Sequence, residues 1–359
     1  MKLTAVNLHL NNECNLRCRH CLYESGEIAI EGFRFPVLRG WIEQFAELMG
    51  DGGTLNLFGG EPLLHPDILP IIDHASSLGL SVGITTNGVL EGKFTELLRT
   101  PVSRVSIDLH GATKEQHDFV RNFSGHYEIS LDRIKEAVAA GKSVGVNSAL
   151  ARFNSGHVED LLKLCADLRV ANISFYLLSP AGRGKSLLKD ILNADEWLTI
   201  RDKIFSWCKT NNPAFGVIWE RCYDHKENFA GVVKSMCRSA IADTLDVRSD
   251  GVVIPCGLLM SAARPFAPNG PILGSLQTTS LKEIIETRGK HLFSDGEGCP
   301  ALALHAGEHK DVLWHDIGKY DPRAQITDAA LLCPYEWQPL WGNLRTIRKT
   351  HAHVCQELS

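Results

Sequence analysis

The sequence predicts an α/β protein built on a parallel sheet, and three observations carry that expectation. Short apolar-rich runs that read as strands alternate with longer segments whose apolar positions recur at helical spacing. Several runs close in turn-forming residues such as Thr86-Asn87-Gly88. Residues able to do chemistry, including a group of cysteines and a glycine-rich tetrapeptide, fall at the carboxyl ends of the runs. Parallel α/β folds place their sites at that end.

The chain has 359 residues, 44% of them hydrophobic and 22% charged, enough for two domains or one large domain with an extension. A formal net charge of -5 argues against a broad basic surface for nucleic acid. No apolar stretch approaches membrane-spanning length, and Met1-Lys2-Leu3-Thr4 leads into a short apolar run without a small-residue cleavage site. The expectation is a cytoplasmic protein with neither nucleic-acid nor membrane partners. In that reducing compartment, eleven cysteines read as metal ligands and core thiols rather than disulfides.

Residues 3–10 alternate and read as the first strand. Directly after them come Cys14, Cys18 and Cys21, spaced C-x3-C-x2-C. Iron-sulfur cubanes are usually held by four cysteine thiolates, so a group of three leaves one iron open for another ligand. The alternative is zinc, because C-x2-C pairs are common zinc ligands; His20, between two of the cysteines, is badly placed as the fourth ligand.

Residues 35–49 have helical spacing, and the strand at 54–58 runs straight into Gly59-Gly60-Glu61-Pro62. Paired glycines let a main chain approach a ligand closely, and Glu61 offers an acceptor to an ammonium group. The rhythm continues with helices near 66–78, 93–98, 127–140 and 158–168, and strands at 81–85, 102–109, 143–150 and 172–178. Six strand-helix units with right-handed crossovers result. After them, Ala181-Gly182-Arg183-Gly184-Lys185 offers a grip for an anionic group. A helix at 194–210 and a strand at 215–219 lead to Glu220-Arg221-Cys222.

The cysteine spacing behind the first strand and Gly-Gly-Glu-Pro at the end of the second resemble the radical S-adenosylmethionine (SAM) superfamily. The second half resembles a SPASM or twitch extension: Cys237, Gly251 and Cys256 match its opening pattern, with Asp250-Gly251 turning a hairpin between 244–247 and 252–254. Leu273-Gly274-Ser275-Leu276 and the segment 280–285 look like its connecting strand and helix. The resemblance implies a partial (β/α)6 TIM-like barrel over 1–220, a small α+β cysteine-rich SPASM/twitch-like domain over 221–335, and a tail, 336–359, packing on the barrel.

It also implies the site. A [4Fe-4S] cluster would sit on Cys14, Cys18 and Cys21, and the amino group of SAM against Gly59, Gly60, Glu61 and Pro62. Thr85, Thr86 and Asn87 look like third-strand residues facing the cofactor. Ser106 and Asp108 fall in the fourth-strand motif, and Asn147 with Ser148 in the corresponding place on the fifth. Such polar residues at strand ends also serve as caps and turn formers. Arg121, in Asp118-Phe119-Val120-Arg121, corresponds to an arginine near a substrate or cofactor carboxylate; the alternative is a surface salt bridge. One auxiliary [4Fe-4S] cluster is expected on Cys237, Cys256, Cys299 and Cys333. The family usually shows C-x2-C at Cys299, where this chain has Cys299-Pro300-Ala301-Leu302. Cys222 competes for the fourth place or donates a hydrogen atom as a catalytic thiol. Cys165 and Cys208 read as core residues.

The implied activity is reductive cleavage of SAM to a 5'-deoxyadenosyl radical that abstracts hydrogen from a small carbohydrate, cyclitol or nucleoside, giving dehydrogenation or epimerisation. The reductant would be a flavodoxin or ferredoxin. Maturation of a ribosomally made peptide is the alternative, set lower because the first strand begins near residue 3, where many such enzymes carry a recognition domain. A non-enzymatic iron-sulfur or zinc protein ranks last.

Overall fold

The computed structural model describes residues 3–26, 32–178, 182–219, 244–254 and 272–289. Cys222, Cys237, Cys256, Cys299, Cys333 and the tail 336–359 lie outside the described residues.

The first strand, β1 (Ala5–His9), leads through the cysteine loop to α1 (Phe35–Met49) and β2 (Thr54–Phe58). There follow α2 (Ile68–Ser77), β3 (Ser81–Thr86), α3 (Glu91–Leu98) and β4 (Arg104–Asp108). Two helices, α4 (Lys114–Arg121) and α5 (His126–Ala139), precede β5 (Ser143–Leu150). The short α6 (Arg152–Ser155) and α7 (Val158–Asp167) precede β6 (Asn172–Leu177), and α8 (Ala194–Asn211) precedes β7 (Gly216–Trp219). These strands pair in parallel and in sequence order from β1 to β7. The architecture is a mostly parallel, partial TIM-like α/β sheet, with β7 one strand beyond the six units.

The later strands extend the same sheet from its other side. On the β1 edge, β8 (Thr244–Val247) pairs in parallel with β1. Its antiparallel partner β9 (Val252–Ile254) and then β10 (Gly274–Ser275) complete the row. The hairpin expected around Asp250-Gly251 is present, joined directly to the barrel sheet.

Alternation decides the two faces. Leu55, Leu57, Val82, Ile84, Val105, Ile107, Val144 and Val146 are buried toward the helices. In α1, Leu38, Trp41, Ile42, Phe45 and Met49 recur at helical spacing and supply the matching stripe. The opposite face carries a polar row at one register level: Asp246, Asn7, Asn56, Gly83 and Arg104. Asn7 Nδ2 donates to Asp246 Oδ1 at 3.2 Å, and Asn56 Nδ2 to Asn7 Oδ1 at 2.9 Å. Arg104 reaches over β3 to Asn56 because Gly83 has no side chain; a Cβ there would lie 2.9 Å from atoms of both.

Periodicity alone did not predict α4. Its sequence, KEQHDFVR, is mostly polar, and of its residues only His117, Val120 and Arg121 are buried. Its start is nevertheless written locally, since the Thr113 hydroxyl accepts from the Gln116 N–H in a Thr-x-x-Gln pattern.

Candidate functional site

Because β1 to β6 run in parallel, the cysteine loop, the Gly-Gly-Glu-Pro segment and the polar ends of β3 to β5 share one edge of the sheet. Main-chain bonds lock the first two together. Leu10 N–H donates to the Phe58 carbonyl at 2.9 Å, Gly60 N–H to Asn11 at 3.0 Å and Glu61 N–H to Glu13 at 2.7 Å. The contact is close enough that a Cβ at Gly60 would lie 2.1 Å from the Glu13 carbonyl oxygen, so this glycine admits the cysteine loop's own main chain.

Glu61 is the hub beneath that contact. Its carboxylate accepts from Leu63 N–H at 3.0 Å, from the Thr86 hydroxyl at 2.7 Å and from Asn87 N–H at 2.8 Å. The side chain is buried, and burial pushes its pKa up against those three donors. Glu61 therefore ties the end of β2 to the end of β3. Pro62 opens the 3₁₀ turn Pro62–Leu64 that follows. Asn87 continues the linkage, its Nδ2 donating to Asn15 Oδ1 at 2.7 Å within the cysteine loop.

The thiols of Cys14, Cys18 and Cys21 are free of disulfides. Burial pushes Cys14 up to about 11, while the Leu16 N–H, 3.4 Å from its Sγ, works in the opposite direction. Cys18 is raised by burial as well, and the charges of Arg121 and Arg183 oppose the rise. Arg183, in the segment whose sequence offers a grip for an anion, donates from Nε to the Cys18 carbonyl at 2.8 Å and from Nη1 to the Ser25 carbonyl at 3.3 Å. Its main-chain N–H donates to the Cys21 carbonyl at 3.0 Å.

The strand-end residues fall into register rows. Thr85 pairs with Ser106, and one level further along Asp108 pairs with Asn147. Arg121 is buried, not a surface residue, and its Nη1 donates to Asp108 Oδ2 at 2.7 Å. Burial works against its charge, but Cys18, Asp108, Cys14 and Glu61 outweigh that and raise its pKa. Asn147 Nδ2 donates to Asp108 Oδ1 at 3.3 Å. Ser148 is fully buried on the alternate face of β5, and its Oγ has no partner among the described residues.

A group of buried histidines stands beside this pair. Ala149 N–H donates to His110 Nδ1 at 3.2 Å, which leaves the ring proton on Nε2. His110 N–H donates to His117 Nδ1 at 3.1 Å, so His117 donates from Nε2 to His126 Nδ1 at 2.8 Å. Burial holds His110 and His117 far below the usual histidine range, His126 down to about 3 and His20 down to about 4. His20, Asp108 and His110 bring one potential metal ligand atom each within 4.8 Å. The hydrogen bonding opposes a metal there: His110 Nε2 carries the ring proton, and Asp108 is already engaged by Arg121.

Comparison with known proteins decides the family. Residues 8–185 match the Radical SAM superfamily. The chain carries a radical SAM domain. It is 28% identical over 212 residues to an AdoMet-dependent heme synthase of Oleidesulfovibrio alaskensis, covering 56% of this chain and 53% of that one. It is also 28% identical over 201 residues to the antilisterial bacteriocin subtilosin biosynthesis protein AlbA of Bacillus subtilis, covering 53% and 43%. The chain thus spans about half the length of these curated relatives. The structure of SuiB from Streptococcus suis bound to S-adenosylmethionine superimposes with a TM-score of 0.67 at 13% identity, over 86% of this chain and 75% of that one, a likeness of fold.

A radical SAM domain takes a [4Fe-4S] cluster and SAM, and this site fits both. Three thiols free of disulfides share one loop, with the cations Arg121 and Arg183 beside Cys18 to offset thiolate charge. Arg121 Nε and His110 Nε2 are buried donors without a partner among the described residues, as expected of groups that meet a polar ligand.

Proposed function

We propose that this chain is a radical SAM enzyme that abstracts a hydrogen atom from its substrate. The observation that carries the reading is the locking of the Cys14-Cys18-Cys21 loop onto Gly60-Glu61 by main-chain bonds of 2.7 and 3.0 Å. Cys14, Cys18 and Cys21 would hold the cluster. When bound, it supplies the electron that cleaves SAM to a 5'-deoxyadenosyl radical.

The remaining roles belong to the chain's own groups. Glu61 spends its carboxylate on Leu63, Thr86 and Asn87, so the carbonyls of Gly59 and Gly60 would meet the amino group of SAM, with the Pro62 carbonyl already accepting from His65 N–H at 3.0 Å. Arg121, oriented by Asp108 and with its Nε unpartnered among the described residues, suits the carboxylate of SAM or of substrate. Thr85, Asn87, Ser106 and Asn147 would line the same strand ends, with Asn147 steadying Asp108, whereas Thr86 is spent on Glu61 and Ser148 lies on the alternate face.

The finer reading is dehydrogenation or epimerisation of a small carbohydrate, cyclitol or nucleoside. It includes one auxiliary [4Fe-4S] cluster on Cys237, Cys256, Cys299 and Cys333, and Cys222 as fourth ligand or hydrogen-atom donor. The division at 220 and 335 belongs to it too, supported by the β8–β9 hairpin in its expected place. Peptide modification is the second reading, favoured by the similarity to AlbA.

The test is anaerobic reconstitution with iron and sulfide, followed by 5'-deoxyadenosine measurement with SAM and a reductant. Product that rises on adding a cyclitol, nucleoside or peptide panel identifies the substrate class; no deoxyadenosine at all would overturn the enzyme reading.

A further inference from the structure

A concavity of about 510 Å³ opens on the surface beside the cysteine loop. Its walls carry four cations, Arg17, Arg19, Arg183 and Lys185, with Asn122 and Ser186 between them. Among the described residues no carboxylate lines it, although the chain's formal net charge is -5. Positive charge is therefore concentrated here against the overall balance.

The floor of this concavity is the chain that carries the thiols. Arg17 and Arg19 are exposed on either side of buried Cys18. Arg183 is bonded to the carbonyls of Cys18 and Cys21 at 2.8 and 3.0 Å. One layer of main chain thus separates the cationic surface from two cluster ligands.

Beside Arg19 stands one exposed aromatic ring, and a second follows the lining residue Asn122 in the chain. Phe119 is 40% exposed and Phe123 38% exposed, and the Arg19 guanidinium lies 4.7 Å from the Phe119 ring centroid. Arginines interleaved with exposed aromatics are the composition of a protein interface, whereas a subsite for a small anion has no use for the rings.

We propose that this face is the docking surface of a small acidic one-electron carrier protein of the flavodoxin or ferredoxin kind. The inference rests on the radical SAM reading, which requires electrons from outside the chain. With a cluster held by Cys14, Cys18 and Cys21, one electron would pass to it from the carrier's reduced cofactor, leaving the carrier oxidised by one electron and the cluster reduced by one. Opposite charge steers the encounter, and the phenylalanines supply the apolar contact of a short-lived complex.

The test is stopped-flow reduction of the anaerobically reconstituted full chain by a reduced acidic flavodoxin, compared with photoexcited deazariboflavin, a small uncharged donor. Arg19→Glu and Lys185→Glu should each slow flavodoxin reduction about tenfold at low ionic strength. The gap should shrink at about 0.5 M salt, where screening shortens the reach of surface charge. Deazariboflavin should reduce wild type and variants alike, and Lys163→Glu on α7, outside the concavity, should change neither rate. Wild-type flavodoxin rates in both variants, or an equal loss in Lys163→Glu, would overturn the docking surface alone. If deazariboflavin reduces no iron in the wild-type chain, the radical SAM reading falls and the docking surface with it.

Discussion

Arg183 donates from Nε to the carbonyl oxygen of Cys18 at 2.8 Å, joining the segment after β6 to the loop after β1. Two further bonds, to the carbonyls of Cys21 and Ser25, make Arg183 a clamp on the loop that carries all three thiols. The two bonds from the guanidinium, to Cys18 and Ser25, are charge-assisted and contribute about 1.5–3 kcal/mol each, while the bond to Cys21 comes from the main-chain N–H and survives substitution. Arg183→Gln should lower the urea midpoint and the iron retained after gel filtration together, while Arg183→Lys should recover part of both. Unchanged iron retention in Arg183→Gln would remove the clamp.

The Gly60 contact predicts a substitution with little room to adjust. In Gly60→Ala the new methyl meets main chain at 2.1 Å, so the cysteine loop must shift. Overpacking of this sort costs about 1–3 kcal/mol. Iron incorporation should fall with it. Gly92→Ala in α3 is the control: nothing lies within 4 Å of its Cβ, and helix propensity predicts a gain of up to about 1 kcal/mol. Paired urea titrations and iron assays check both.

Asp108 and Arg121 form an ion pair in which the arginine is deeply buried. Asp108→Asn leaves that cation without its counter-charge, and a loss of about 3 kcal/mol is expected. Asp108→Asn with Arg121→Met should recover stability relative to the single variant and should not recover SAM binding, measured by calorimetry.

The buried histidines predict acid sensitivity. His117 and His126 are neutral in the folded chain because burial depresses their pKa, to about 3 for His126, while the unfolded chain titrates near 6.5. The unfolded state therefore binds more protons below 6.5. Their contribution is fully present above that value and is lost progressively as pH falls toward the folded pKa. Between pH 7.5 and 5.5 each should remove about 1.4 kcal/mol. Urea midpoints across that range test this, and His126→Asn should flatten the slope.

Most of the sheet was legible in the sequence because its strands are short apolar runs and its crossover helices carry strong stripes. The bounds of α1, β2, β5, β8 and β9 agree residue for residue with the expectation. What escaped has a physical reason. The polar helix α4 hides its few buried residues among charges, and only the Thr113 cap announces it. Motif spacing picked out Gly60 and Glu61 as ligand-facing residues. Apart from the local Leu63 N–H, their observed contacts are Glu13, Thr86 and Asn87, long-range partners that local sequence does not specify. Arg183 escaped for the same reason, since its carbonyl acceptors lie far away in the chain. The histidine group was invisible because His20, His110, His117 and His126 meet only in the fold.

The central claim is that Cys14, Cys18 and Cys21 hold the cluster on which SAM is cleaved. Its most direct test is Mössbauer spectroscopy with 5'-deoxyadenosine measurement on the reconstituted full chain and on its Cys14/Cys18/Cys21→Ala variant. The predicted result is a loss of about four irons, one cubane, in the variant together with all deoxyadenosine formation. Deoxyadenosine formed by the variant, or a wild-type chain that takes up no cubane iron, would contradict it.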